Sequence, residues 1–297
     1  MILNLSISES DDSAYRGFSL AQVNRVTLQV ASALFGQGAS LIFGHDWRED
    51  GVMEAVHGFA QQVHLPAPRT PEQWKPGVRP LLWNLIPWPD EPRLLPKDLE
   101  RLASTLRIER AGLPEELIKY EEEALYKGRE SAPHKYLRAR GLTHLRHRLT
   151  GVSQARLCVG GRKLRSEGRY PGVIEEALLS LEDHKPLYLA GVLGGATRQL
   201  IQALMGGPMP NDFCLPTKAH PHYLNPPIHE EMSETKTDRI VAPEAVWKSF
   251  RDHGINGLAK NNGLSKEENL RLFQTVVLDE VIQIVLIGLR RVRLAQG

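Results

Sequence analysis

The sequence predicts an α/β protein with a mostly parallel sheet and helices on both of its faces. Two observations carry that expectation. Short apolar runs rich in branched residues alternate with longer stretches of helical periodicity, which is the pattern of βαβ units. Glycines and small polar residues cluster where several of those runs end, as they do at ligand-binding strand exits in open parallel sheets.

Five runs read as strands: Ile2–Ile7, Leu41–Phe43, Leu81–Ile86, Ala155–Val159 and Pro186–Ala190. Between the first two, Val23, Val26, Val30 and Leu34 recur at helical spacing behind Ser19, a good N-cap, so Ser19–Phe35 reads as a helix. Helical patterns also follow the second run (Val52–Val63), the fourth (Val173–Leu181) and the fifth (Ala196–Met205). Proline interrupts the rhythm in residues 65–96, with Trp74, Trp83 and Trp88, and again in 207–229, which reads as a surface excursion. The tail, within 240–294, carries helices, with Ser265–Leu294 a pair packed outside the sheet. Residues 1–297 are expected to form a single domain with an insertion around 65–150.

The bulk composition excludes several classes. At 297 residues, 41% hydrophobic and 24% charged, the chain has the makeup of a globular protein rather than a disordered or fibrous one. A formal charge of +2 announces neither a nucleic-acid nor a membrane surface, so nucleic acid is not an expected partner. The two cysteines, Cys158 and Cys214, make no disulfide framework or metal spacing, which suits a reducing cytoplasm. His220, His222 and His229 lack the accompanying ligands of a metal centre, and no metal or cofactor is expected. Met1–Ser8 lacks the basic flank of a signal peptide, and Val281–Leu289 is too short to span a bilayer. The basic stretch His134–Arg148 reads mainly as a solvated helix face, with an anion-meeting patch as the alternative.

Three strand exits have the chemistry of an anion or nucleotide cleft. The first leads into Ser8, Asp12 and Arg16, whose hydroxyl, carboxylate and guanidinium suit ribose hydroxyls and phosphate. The second leads into Gly44, Asp46, Gly51 and Glu54. The fourth leads into Gly160 and Gly161, then through a basic loop to Gly168-Arg169-Tyr-Pro-Gly172-Val-Ile-Glu175-Glu176. Turn, cap and dipole chemistry explains each alone; their coincidence on successive exits points to a ligand.

The motifs extend that reading. Phe43–Val56 resembles the first glycine-rich turn of the Rossmann-like superfamily that includes Lonely Guy phosphoribohydrolases, the DNA-processing protein DprA and the N-terminal region of melastatin-type TRP channels. Residues 10–12, 16–19, 168–176, 185–195 and 262–269 resemble the prokaryotic branch called SLOG or LSDAT domains. The resemblance implies a site for a nucleotide or an NAD- or ADP-ribose-derived ligand, sensed in bacterial defence or signalling. The alternative it implies is cleavage of an N-glycosidic bond, with Glu176 and Arg169 as the catalytic pair. Val173 stands at the motif's Thr position, and Tyr170-Pro171 where the second Gly would be, which favours binding over hydrolysis. A scaffold role for the basic stretch and the proline-rich excursion is a third reading, and a homo-oligomer is compatible with all three.

Overall fold

A computed structural model describes residues 1–44, 53–63, 81–90, 100, 105–164, 166–214 and 242–295. Six strands form one all-parallel sheet: β1 (Ile2–Ser8), β2 (Ser40–Gly44), β3 (Leu82–Pro87), β4 (Leu106–Gly112), β5 (Ala155–Gly160) and β6 (Leu187–Ala190), in the order β4-β3-β2-β1-β5-β6. The described helices are α1 (Leu20–Gly36), α2 (Met53–Val63), α3 (Glu121–Lys127), α4 (Ala132–Val152), α5 (Gly172–Glu182), α6 (Gly195–Leu204), α7 (Pro243–Asn261), α8 (Lys266–Gln274) and α9 (Leu278–Ala295).

The chain builds outward from β1 to β4, then returns through α4 to place β5 on the other side of β1. The order therefore reverses between β1 and β5, where Ser8 lies opposite Gly160 in register. Open parallel sheets bind ligands at the carboxyl ends of strands beside such a reversal.

Side chains alternate across the sheet and divide the core. Leu3, Leu41, Leu82, Leu157 and Val159 pack with Val26, Val30 and Leu34 of α1, Val56 and Ala60 of α2, and Val281 and Val285 of α9. On the opposite face Ile2, Ile42 and Leu85 meet Leu145 and Leu149 of α4, while Cys158, Leu187 and Leu189 meet α5, α6 and α7. A parallel sheet covered on both faces needs apolar residues at successive positions, which is why its strands read as continuous apolar runs.

Ser19 caps α1 in a reciprocal capping box with Gln22, as its position predicts. Strand β4, absent from the sequence expectation, carries the charged string Leu-Arg-Ile-Glu-Arg-Ala-Gly. It is one of the two edge strands, where one flank is solvated and a continuous apolar run is not required. Both β4 and α4 fall within the stretch expected as an insertion. Residues 215–229 of the expected excursion, with Trp74 and the three histidines, lie outside the described residues.

The tail motif of residues 262–269 turns out to be an anchor. Asn262 and Asn269 are buried and bonded at 2.8 Å, and Asn262 also donates to the Leu187 carbonyl at 3.0 Å, tying α7 and α8 to strand β6. Tyr188 completes it by donating to the Asn262 carbonyl at 2.8 Å.

Candidate functional site

The basic stretch is not a solvated face. Within α4, His134, Arg140 and Arg146 are buried, because this helix is the crossover that covers the sheet and its charged residues must point inward on that side. Arg140 finds Glu116 at 2.9 Å, and Arg146 meets the two acids at the start of α5.

Those acids have different surroundings. Glu175 is fully buried and accepts from Thr143 at 2.8 Å, from Arg169 Nε at 3.1 Å and from Arg146. Glu176, its side chain 18% exposed, accepts from Arg156 Nη1 at 2.6 Å and from the Ser6 hydroxyl, and Arg146 Nε stands 3.8 Å from its other oxygen. Arg156 emerges from β5 with no solvent exposure and spends its remaining donors on Asn4, Ser6, Thr150 and Ser180 at 2.7–3.0 Å. A buried guanidinium persists only when its charge and hydrogen bonds are matched, and here five partners match it. Arg169 and Glu176 are thus not brought together: Arg169 serves Glu175 and lies 5.0 Å over the Tyr170 ring.

Gly168 and Gly172 make room for Arg146. A Cβ on Gly168 would collide with the Arg146 guanidinium, and one on Gly172 would stand 3.0 Å from its Nη2. The Gly-Gly at the β5 exit serves close packing as well. Both residues have positive φ, +73° and +91°, and added Cβ atoms would strike the Ser8 carbonyl and the Val173 side chain respectively.

The first-strand exit folds over the start of α6. Gly195 N–H donates to Asp12 Oδ2 at 3.0 Å, and the Ser10 hydroxyl donates to the Leu193 carbonyl at 2.7 Å. Arg16 reaches the Val192 carbonyl at 3.5 Å. The positive end of α6 is therefore already met by a carboxylate of the chain itself, which takes the place an external anion would occupy. Lys163 bridges Asp12 at 3.1 Å and Asp212 at 2.9 Å, so one ammonium joins the β1 exit, the β5 exit and the first residues of the excursion. Burial works to raise the Asp12 carboxyl, but the Gly195 N–H, Lys163 and Arg16 together hold it below the usual carboxylate range. Burial likewise works to lower Lys163, and its two carboxylates outweigh that and raise it.

Ser8 is exposed at the tip of β1, and Gly44 ends β2, where a Cβ would touch Leu145 at 3.4 Å. Asp46 and Gly51 lie outside the described residues, and Glu54 lies in the first turn of α2 with its side chain outside the description. Of the expected site residues, Glu176 is the one that joins the Arg146 and Arg156 network, while Ser8 and Gly44 stand at the carboxyl ends of β1 and β2.

Sequence reasoning missed Arg156, Arg146 and Ser6 as parts of this network. A detectable signal existed for one of them: Ala-Arg-Leu-Cys-Val sets an arginine in an apolar strand, and arginine is rarely buried without a paired acid.

Among the described residues no His, Cys, Asp and Glu cluster could hold a metal ion, and no helix is long and apolar enough to cross a membrane. A protein-family model described as SLOG cluster2 matches residues 1–272. No curated protein and no solved structure matches the chain.

Proposed function

Since the chain belongs to the SLOG family, cluster 2, we propose that it binds a nucleotide or an NAD- or ADP-ribose-derived ligand at the carboxyl ends of β1, β2 and β5, as the sensing part of a signalling or defence system. The observation that carries binding over cleavage is the state of Glu176. One of its oxygens is engaged by Arg156 and Ser6, and its other oxygen faces Arg146. A general base needs freedom and reach to the proton it removes, and Arg156 and Ser6 pin one oxygen of Glu176 in place. It is suited to fix position: Glu176 accepts from ribose hydroxyls through the lone pairs that remain, while Ser8 meets the phosphates.

The same geometry weighs against the glycosidase reading. Arg169, the expected partner of the leaving group, is buried against Glu175.

Thermal melts of the full chain with AMP, NAD, ADP-ribose and cyclic ADP-ribose, each mixture then chromatographed, test this. A ligand at a hundred times its Kd adds about 2.7 kcal/mol, a rise of several degrees in Tm. Stabilisation with the nucleotide intact supports sensing. Free base in the chromatogram supports the glycosidase, and no shift with any nucleotide overturns the proposal.

A further inference from the structure

Of the ten large apolar side chains left exposed among the described residues, seven gather in two places. Val276, Val277, Ile287 and Leu294 lie on α9 or just before it. Ile118, Leu125 and Tyr126 lie on the segment Glu115–Lys127, where a 3-10 helix (Glu115–Tyr120) runs directly into α3. Gathered apolar exposure of this kind marks an interaction surface. We infer that the two places meet between copies of this chain: the segment Glu115–Lys127 of one copy seats in the groove between α1 and α9 of the next, so that the protein associates head to tail.

The groove is long, apolar and basic. Two adjoining cavities of about 640 and 530 Å³ share Gln283 and run along α1 and α9 over Leu28, Ile282 and Leu286. Arg25 and Asp279 stand at one end, Arg290 and Arg293 at the other, and none of the four has an ion pair among the described residues. The other charges of α9, Glu280 and Arg291, are spent on Arg271 and Glu268. The carboxyl ends of α1 and α9 bring about half a negative charge each to the arginine end, which the two guanidiniums outweigh. Two unpaired guanidiniums beside an apolar floor fit a partner that is both apolar and acidic.

This chain carries such a partner. Leu117, Tyr120 and Ala124 turn inward against Tyr136 and Leu137 of α4, which leaves Ile118, Glu122 and Leu125, at i, i+4 and i+7, on the outer side with Tyr126. Glu115 and Glu122 are exposed and have no ion pair among the described residues. Five glutamates against Lys119, Lys127 and the buried Arg140 that serves Glu116 leave the segment at −2. Arg25, Arg290 and Arg293 against Asp279 leave the groove at +2. The lengths agree as well, about 22 Å for the segment and about 25 Å for the helices that flank the groove. A groove-to-groove contact would instead set net positive surfaces against each other. The groove lies on the sheet face covered by α1, α2 and α9, whereas the segment packs on α4, which covers the other face. One molecule therefore offers both surfaces at once, and the contact repeats from copy to copy.

Sedimentation velocity of the full chain over a concentration series tests this. The wild type is expected to pass from monomer to species larger than a dimer, and to do so less readily at higher salt. Ile118→Lys/Leu125→Lys removes the segment and Ile287→Lys/Leu294→Lys the groove. Each double variant is expected to weaken association at least about tenfold while melting like the wild type, since all four side chains are exposed. The decisive sample is their equimolar mixture, in which each variant supplies the surface that the other lacks. It is expected to form a one-to-one dimer and nothing larger. Arg290→Glu/Arg293→Glu, a second groove variant, should behave like the first and be rescued by the same partner. A wild type that stays monomeric throughout, a mass that stops at the dimer, association unchanged in the double variants, or a mixture that stays monomeric overturns the inference. Neither surface contains a residue assigned to the nucleotide cleft, so melts with nucleotide are expected to be the same in every variant, and the two readings fail separately.

Discussion

Arg156 Nη1 lies 2.6 Å from Glu176 Oε2, joining the start of β5 to the helix α5 that packs on it. The guanidinium has no exposure and the carboxylate has some, so the pair lies at the margin of the core. Removing the cation leaves a half-buried carboxylate and the side chains of Asn4, Ser6, Thr150 and Ser180 without their donor.

Arg156→Met is therefore expected to destabilise by about 3–5 kcal/mol, the range for breaking a buried ion pair from one side. Urea unfolding should show a lower midpoint with an unchanged slope. A change below about 1 kcal/mol would show that the network has little energetic coupling to the fold.

Glu175 and Glu176 should separate by phenotype. Glu175→Gln removes the buried anion that Arg146 and Arg169 share and should cost about 3 kcal/mol or more in stability. Glu176→Gln keeps the shape of a partly exposed side chain and should cost less, while weakening nucleotide binding about tenfold. Paired melts and calorimetric titrations read both, and the reverse ranking would place Glu175 in the cleft.

Gly161→Ala should be severely destabilising, because φ is +91° and its Cβ would meet both Val173 at 2.8 Å and Ala196 at 3.2 Å. Gly17→Ala makes the control. It has φ of +80° with open space around it, so only backbone strain of about 1 kcal/mol applies. Expression and denaturant midpoints of the two variants test whether the β5 exit is a packing joint.

The Asp12–Lys163–Asp212 bridge sets a pH window. Asp12 has a folded pKa below its ordinary 3.8, so its contribution is present above that value and is lost as pH falls through the lower folded one. Lys163 has a folded pKa above its ordinary 10.5, so its contribution is present below that value and is lost as pH rises through the higher folded one. The difference in Tm between wild type and Lys163→Met should therefore be flat between those ordinary values and shrink at both extremes. A difference independent of pH would remove the bridge from the account.

Both cysteines should be inert in the folded chain. Burial pushes the thiols of Cys158 and Cys214 up to about 12, so almost no thiolate exists at pH 8. A chromogenic disulfide reagent should label neither thiol until denaturant is added, and rapid native labelling of Cys214 would show that the excursion opens.

The helices and the five apolar strands were legible because a parallel sheet covered on both faces demands uninterrupted apolar runs, and its surface helices demand a 3.6-residue stripe. Ser19 and its capping box, a local device, could be read for the same reason. Strand β4 could not, since an edge position relaxes the apolar demand, and the basic stretch was readable as a helix but not as a buried one, because charge suggests water wherever the sequence is read without partners.

The sequence by itself determined the element types, the glycine-rich exits and the family resemblance, because turn geometry, periodicity and short motifs are local properties. Only the tertiary structure decided what the acids and glycines do. Glu175 is a core ion-pair partner while Glu176 keeps some exposure, Gly160 and Gly161 admit neighbouring protein atoms, and Asp12 caps α6 from more than 180 residues away. Residues that distant in the chain meet only after the return through α4 sets β5 against β1, and charge pairing in a buried space depends on that meeting.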